Sequence, residues 1–519
     1  MFKRSKNKKS ILNEPIKDNN KPKDSNLSKS LKDNISTFKD IFKDDDTLIV
    51  RQFENAQNTD IKCCIMYIND MIDKALVTDN VIKPMLLSTS LDSKTNAIDK
   101  IMNHVLMTSS IENTTSVDKI THAIIIGDTV LFIDGFNEAL IISSIGWQTR
   151  SISEPESERV LRGPREGFTE SLNMNLTMIR RRLVTNNLKF KFRFLGKESN
   201  TKICICYIDG IVNKQILDEV NRRLDAINID GILGTGNIVE IIKDNTYCPF
   251  KTVGGTERPD VVAGKLLEGR IAIVIDGTPF VLTIPYIFIE YFQSSEDYYI
   301  NFYYASINRI LRVLSFIITI SAPAIYVAVT TFHQEMIPTA FIKSIASARQ
   351  GVPFPTFLEM LLLLVAFELL RETGIRMPSS VGTAISVVGG IVLGSAAVEA
   401  RIVSAPVVII LAITAITGLT TPKIKGPEII IRLIFLLLSS LLGFYGYMFG
   451  IIALLILLFQ LRSFGVPYML NLTNINLDNL KDTILRANWN DLIYRPKYIA
   501  PNNRVRNDPG GKKNGKKNT

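Results

Sequence analysis

The sequence predicts an α+β protein with an α-helical membrane half. Two repeated α/β cytoplasmic lobes are followed by a polytopic helical membrane domain of five or six elements. Three observations carry this. A stretch of 13 residues recurs 140 positions downstream. From Ile310 to Arg462 long apolar runs carry sparse charge, although only 46% of the 519 residues are hydrophobic. Both ends of the chain are polar and rich in Lys, Asn and Asp.

Residues 1–46 read as a disordered basic leader, with 12 Lys/Arg against 8 Asp/Glu and few aromatics. The first lobe is expected over 47–148 and the second over 188–306. The segment Lys62-Cys-Cys-Ile-Met-Tyr-Ile-Asn-Asp-Met-Ile-Asp-Lys74 matches Lys202-Ile-Cys-Ile-Cys-Tyr-Ile-Asp-Gly-Ile-Val-Asn-Lys214. A second match, Val130–Gly135 with Ala272–Gly277, has an offset of 142. Each lobe thus begins with a strand ending in Tyr-Ile-(Asn/Asp). A helical stretch follows, and then a hairpin whose turn is Asp-Gly, because Gly supplies the positive φ of a tight turn.

Residues 149–187 form a charged joint between the lobes. Its Arg162-Gly-Pro-Arg-Glu-Gly167 run lacks the lysine-ended spacing of a phosphate loop. Gly234-Thr-Gly236 lacks the third glycine of a dinucleotide loop. Charge this dense beside Gly and Pro suits a hinge or a fixed contact, through Arg162, Arg165 and Glu170, between lobes or between neighbouring subunits.

Several function classes fall away. The formal charge is +10, but the leader contributes +4 and residues 502–519 contribute +5, so the folded middle is nearly neutral. No nucleic-acid partner is expected; the basic tails suit solvent, or anionic lipid beside membrane spans. The five cysteines form no paired CxxC motifs, and the three histidines are scattered, so no metal site is expected. No cofactor is implied. The lobes show no nucleophile–His–acid spacing, so the chain is not read as an enzyme. The start is basic but not followed by an apolar core, so no cleavable signal is read and the lobes should stay cytoplasmic.

The membrane domain is expected over 307–465. Ile310–Thr331 gives about 33 Å of helix, enough for one crossing. Arg309 and Arg312 beside it favour a cytoplasmic N-side. Further candidates are 354–370, 381–398 and 402–421. Residues 428–461 are too long for one simple span and hold Gly443, Gly446 and Gly450. They form a helical hairpin or one long broken helix. A polar, basic C-terminal tail is expected over 466–519.

Charges at membrane depth default to function. Glu359 and Glu368 are nine residues apart, so they lie on opposite helix faces. One is expected to pair with a neighbouring helix or to lie at the interface near Arg371. Glu399 and Arg401 sit between the third and fourth spans, as a functional pair or as an interfacial anchor. Gly382, Ser386, Gly390 and Gly394 recur every fourth residue, a stripe that lets membrane helices approach closely. The stripe packs either inside one subunit or in a ring of identical helices. In a ring, Val387, Ile391, Val392 and Val398, with Glu399, become pore or gate candidates, and an apolar constriction holds a pore closed by dewetting.

Pro353-Phe-Pro-Thr-Phe-Leu-Glu-Met360, Glu368-Leu-Leu-Arg-Glu-Thr-Gly-Ile-Arg-Met-Pro378 and Val387-Val-Gly-Gly-Ile-Val-Leu-Gly-Ser-Ala-Ala-Val-Glu-Ala400 resemble the A subunits of bacterial spore germinant receptors, the GerA family. Arg162–Phe168, Thr256-Glu-Arg-Pro-Asp260 and Arg462–Tyr468 are further family-like segments. The resemblance covers about residues 120–470; the leader and the C-terminal tail diverge. It implies a protein of the endospore inner membrane that works with a transporter-like B subunit and a lipoprotein C subunit. It also implies a homo-oligomer, a pentamer by family expectation, forming a ligand-gated channel for monovalent cations. The paralogous stage-five sporulation membrane protein shares the pattern, and a secondary transporter is the other alternative. No inverted repeat in the spans supports the transporter.

Overall fold

The computed structural model describes residues 26–88, 97–146, 155, 158–377, 390, 392, 394–470 and 482–506. Two compact units divide the chain. One runs to residue 148 and takes in 184–186; the other holds 149–183 and everything from 187 onward.

The first unit is built on an antiparallel sheet. Its strands are β1 (Leu48–Glu54), β2 (Lys62–Ile68), β3 (Ile111–Thr114), β4 (Thr129–Ile133) and β5 (Ala139–Ile142), in the order β1-β2-β4-β5-β3. Strand β2 buries both faces. Cys64, Met66 and Ile68 pack under helices α1 (Leu31–Ile41) and α2 (Val117–Ile126), while Cys63 and Ile65 pack against Val77, Val81 and Ile101. Burial on both faces is why the strand reads as a continuous apolar run rather than an alternating one. The same burial pushes the Cys63 and Cys64 thiols up to about 12, so they behave as small hydrophobes.

The second unit opens on a sheet with the same succession. Its strands are β6 (Leu188–Leu195), β7 (Thr201–Ile208), β8 (Gly254–Thr256), β9 (Ile271–Ile275) and β10 (Val281–Ile284), in the order β6-β7-β9-β10-β8. Cys204, Cys206 and Ile208 face helices α3 (Leu172–Arg182) and α6 (Pro259–Leu267). Ile203 and Ile205 face α4 (Lys214–Asp225) and α5 (Thr235–Ile242). Cys63 pairs with Ile133 in the first sheet, and Ile203 with Ile275 in the second.

Both sheets anchor a preceding helix on the hairpin turn. The Leu31 N–H donates to Asp134 Oδ1 at 3.0 Å, and the Leu172 N–H to Asp276 Oδ1 at 3.1 Å. Gly135 N–H reaches the Lys29 carbonyl at 2.9 Å, and Gly277 N–H the Glu170 carbonyl at 2.8 Å. Asn34 and Asn175 each bind the backbone six residues upstream, through Ser28 and Thr169. Two expected boundaries are corrected by this. Residues 31–41, placed in the leader, are a core helix: Leu31, Ile35 and Phe38 are buried on one face. Residues 172–182, placed in the joint, belong to the second lobe's core.

The helical part follows. Helix α7 (Phe302–Thr331) leads to α8 (Thr339–Arg349) and α9 (Thr356–Arg376); residues 394–399 are helical, and α10 (Ala405–Leu419) and α11 (Lys425–Gln460) complete it. Two stretches, Phe302–Thr331 and Pro422–Gln460, are long and apolar enough to cross a membrane. Gly443, with φ +62° and ψ −139°, breaks α11 and folds it into two antiparallel arms. Close approach of the arms needs glycine: a Cβ on Gly446 falls 2.1 Å from the Leu438 carbonyl oxygen, and one on Gly450 falls 2.9 Å from the Phe435 ring. At the tip, Gly443 lies against Phe332, at the end of α7.

The chain then returns to the second lobe. Strands β11 (Arg462–Ser463) and β12 (Val466–Pro467) form a small hairpin whose Ser463 hydroxyl donates to the Thr252 carbonyl at 2.7 Å. Residues 482–506, expected as part of a polar tail, form a strap on that lobe. Arg495 Nε donates to the Leu267 carbonyl at 2.7 Å, and Ile499 and Ala500 are fully buried. The strap is held by arginine–carbonyl bonds rather than by an apolar period, so its composition reads as tail.

Gly446→Ala should prevent the α11 arms from closing, because its Cβ meets backbone, not a movable side chain. Gly426→Ala, where a Cβ meets nothing within 4 Å, is the control. Size-exclusion profiles of the detergent-purified proteins should show loss of the folded species for Gly446→Ala alone.

Candidate functional site

A cluster of buried charge lies where the second lobe meets α7. After β10 the chain makes two short 3-10 turns, Phe288–Phe292 and Ser295–Tyr298. Asp297 Oδ2 accepts from the Ser294 N–H, which fixes its side chain inward. There Asp297, fully buried, accepts from Arg309 Nε and from both terminal nitrogens of Arg312, all at 2.9 Å. Arg309, also fully buried, reaches on to Asp482 Oδ1 at 2.8 Å and the Thr483 carbonyl at 3.1 Å. The Tyr298 ring lies 5.4 Å from the Arg309 guanidinium, and its hydroxyl donates to Asp482 Oδ2 at 3.0 Å.

Three segments therefore share one ion cluster: the lobe's last turn, the first turns of α7, and the C-terminal strap. Burial works to raise the Asp297 carboxyl. The hydrogen bonds and charges of Arg312 and Arg309 outweigh it and hold the group below the usual carboxylate range. Breaking a buried pair of this kind leaves an uncompensated charge, which costs more than the pair contributes.

Two smaller polar nodes hold the two ends of α9. At one end Glu359, fully buried, accepts from the Ser404 N–H at 2.9 Å and its hydroxyl at 2.7 Å, with Arg349 Nε 3.5 Å away. At the other end Glu368 pairs with Arg432 of α11 and with Arg371, each at 2.6 Å. Glu428 accepts from the Thr421 hydroxyl at 2.6 Å. The Thr319 and Thr417 hydroxyls join α7 to α10 at 2.8 Å.

The family model for the Bacillus/Clostridium GerA spore germination protein matches residues 36–498. The chain belongs to the GerA family of spore germination proteins. Spore germination protein KA of Bacillus subtilis (strain 168) is 44% identical over 482 residues, 92% of this chain and 88% of that protein. Spore germination protein GerLA of Bacillus cereus is 37% identical, covering 84% and 89%. Spore germination protein A1 of Bacillus subtilis (strain 168) is 35% identical, covering 85% and 90%. Among solved structures, the N-terminal domain of the A subunit of the Bacillus megaterium spore germinant receptor GerK3 is 31% identical. It covers 51% of this chain and 99% of its own, with a TM-score of 0.42.

On this GerA-family chain, the residues singled out from sequence separate into three groups. Gly382, Ser386, Val387 and Ile391 lie outside the described residues. Gly390 is open, and Val392 is 57% exposed. A Cβ on Gly394 would sit 3.6 Å from Val408 of α10, so this part of the stripe faces the chain's own helix. Val398 packs half-buried against the cluster of Met360, Val407 and Leu436. Glu399 is exposed, while Arg401, at φ +56°, lays its guanidinium over Gly351.

In the joint, Arg162, Arg165 and Glu170 have exposed side chains. Further groups tie the joint to the second lobe, beside the Glu170 carbonyl that the Gly277 N–H binds. Glu166 pairs with Arg182 and Arg181, and the buried Arg258 donates to the Pro164 carbonyl at 2.7 Å while pairing with Asp260. Sequence reasoning read Arg309 and Arg312 as topology markers and missed Asp297 and Asp482. The available signal was two arginines three residues apart, one helical turn, with an aspartate 12 residues before the first.

Asp297→Asn should destabilise the detergent-purified protein by about 3–5 kcal/mol, read as a lowered melting temperature at neutral pH. The sign follows from the depressed carboxyl. Its stabilisation is present above the ordinary aspartate value, about 4, and is lost as pH falls through the lower folded value. The difference between wild type and variant should therefore shrink in that acid range. Equal melting at neutral pH would remove the cluster from the account.

Proposed function

We propose that the chain is the A subunit of a nutrient-responsive germinant receptor and forms a homo-oligomeric, ligand-gated channel for monovalent cations in the spore inner membrane. It works there with a transporter-like B subunit and a lipoprotein C subunit, and carries no catalysis of its own. The observation that supports this most is the ion cluster at Asp297. It makes the second lobe and the first long apolar helix one mechanical body, so a signal that moves the lobe tilts or turns the helix.

In this reading the two lobes are copies of one unit, as their shared strand order and shared hairpin-turn caps favour. The chain crosses the membrane six times, through α7, α9, the segment ending at Glu399, α10 and the two arms of α11. The spacing of the polar nodes supports such crossings. Glu359 meets the start of α10 at one end, and Glu368 meets the first arm of α11 at the other. The strap brings the described C-terminal residues to the second lobe, and the positive charge of Arg309 and Arg312 favours a cytoplasmic side for it.

The pore is lined by the helix that ends at Glu399, with Val392 as an outward apolar group and Glu399 as a cation-attracting one. Gly394 and Val398 hold that helix against α10. A differential binding energy of about 5.5 kcal/mol moves a closed–open balance from 1:99 to 99:1, within the reach of nutrient binding to the complex.

The complete receptor in planar bilayers should give discrete, cation-selective current steps when nutrient is added. Saturable flux without steps would favour a transporter instead. Spores carrying Val392→Ala should release monovalent ions without nutrient, because a smaller apolar group admits water. Gly394→Leu, whose branched side chain extends beyond a Cβ already in contact with Val408 of α10, should abolish the nutrient response. Normal ion retention in the first and a normal response in the second would remove this helix from the gate.

A further inference from the structure

Beside the ion cluster, within the second unit, lies a cavity of about 360 Å³. That volume falls in the range of small-molecule sites, which are mostly apolar with a few fixed polar groups. Its wall joins parts of the second lobe, the turn before α7 and the strap. Gly264 and Asp260 come from α6, Tyr298 and Tyr299 from the turn before α7, and Trp489 from the strap.

The tyrosine hydroxyls are already engaged, Tyr299 with Asp260 at 2.9 Å and Tyr298 with Asp482. These rings therefore offer apolar surface. At Gly264 a Cβ would meet nothing within 4 Å, so one side of the helix is open.

The charges on the wall are not balanced in what they leave unclaimed. Each carboxylate has a cation: Asp260 holds Arg258, Glu290 holds Lys265 and Arg270, Glu268 holds Arg270, and Glu158 holds Lys423. On the cationic side, Arg182 pairs with Glu166 through a terminal nitrogen but keeps a buried Nε with no acceptor among the described residues. Arg506 has no carboxylate within ion-pair distance among the described residues, and its guanidinium lies 5.4 Å from the Trp489 ring. The surplus donors are positive, and they border aromatic faces.

We propose that this cavity binds a small organic anion with a flat apolar body, its charge on Arg506 and Arg182 and its body against Trp489 and the tyrosines. Charge-assisted bonds from arginine to a carboxylate are short and about twice as strong as neutral ones. An occupant touches the lobe, the turn before α7 and the strap at once. It therefore favours whichever arrangement of the three keeps the cavity open. The site stands independently of channel activity.

The chain has two tryptophans, so Trp147→Phe leaves Trp489 as the sole tryptophan reporter. The full-length protein with that substitution, in lipid nanodiscs, is titrated with 4-nitrobenzoate, an aromatic anion that quenches indole fluorescence. Saturable quenching is expected, with affinity at least tenfold weaker for the neutral 4-nitrobenzamide and for Arg506→Gln. Gly264→Phe, which fills the open side, should abolish it. Quenching that rises linearly without saturation, or that is equal for the amide and for Arg506→Gln, overturns the proposal. Should Gly264→Phe fail to fold, Arg506→Gln and the neutral analogue still decide.

Discussion

A buried carboxylate fixes the charged part of the join between the two halves of the second unit. Asp297 is fully buried, and the charges of Arg309 and Arg312 around it hold it ionised. Those arginines stand in the first turns of a helix whose next residues are apolar, and Arg309 and Arg312 also bind the Thr483 and Phe292 carbonyls. Asp482 completes the cluster from nearly two hundred residues downstream. Removing any member leaves a charge without compensation, which is why lobe, helix and strap hold one arrangement. A looser, solvated contact would let the lobe move without the helix.

The soluble half was largely legible, for a definite reason. Strands buried on both faces must be apolar throughout, and an Asp-Gly turn must keep its glycine, so Tyr67-Ile-Asn69 and Tyr207-Ile-Asp209 stay recognisable beside Asp134-Gly135 and Asp276-Gly277. The helix at 31–41 was not read, because its buried apolar side chains are few, Leu31, Ile35 and Phe38 with Phe42 just beyond, and most of the rest is Lys, Asp, Asn, Ser and Thr. Composition averages such a helix into disorder. Its period of three to four and its Ser30 cap were the usable signals. The strap escaped reading for the opposite reason. Its contacts are single arginine and tyrosine bonds to distant backbone, which leave no period at all.

In the helical half, the glycines of α11 were read as a break without a choice between hairpin and bent helix. The choice rests on side chains facing across the fold: Gly446 against Leu438 and Gly450 against Phe435 place the arms side by side. Glu359 and Glu368 were read as lying on opposite faces of one helix. Their partners, Ser404 and Arg432, stand on different elements and come from positions that no local spacing connects. The joint shows the same limit. Its charged run was legible, but the partners of Glu166 and Pro164, Arg182 and Arg258, stand outside that run and no local spacing announces them.

The central claim is that the lobe drives the helix through the Asp297 cluster. It is tested most directly by nutrient-triggered ion release from spores carrying Asp297→Asn, Arg309→Gln, or both, at matched receptor abundance. The account predicts that each single change greatly reduces the response and that the double change does no further harm, because both remove one shared coupling. A normal response in Asp297→Asn spores, or fully additive losses in the double variant, would contradict it.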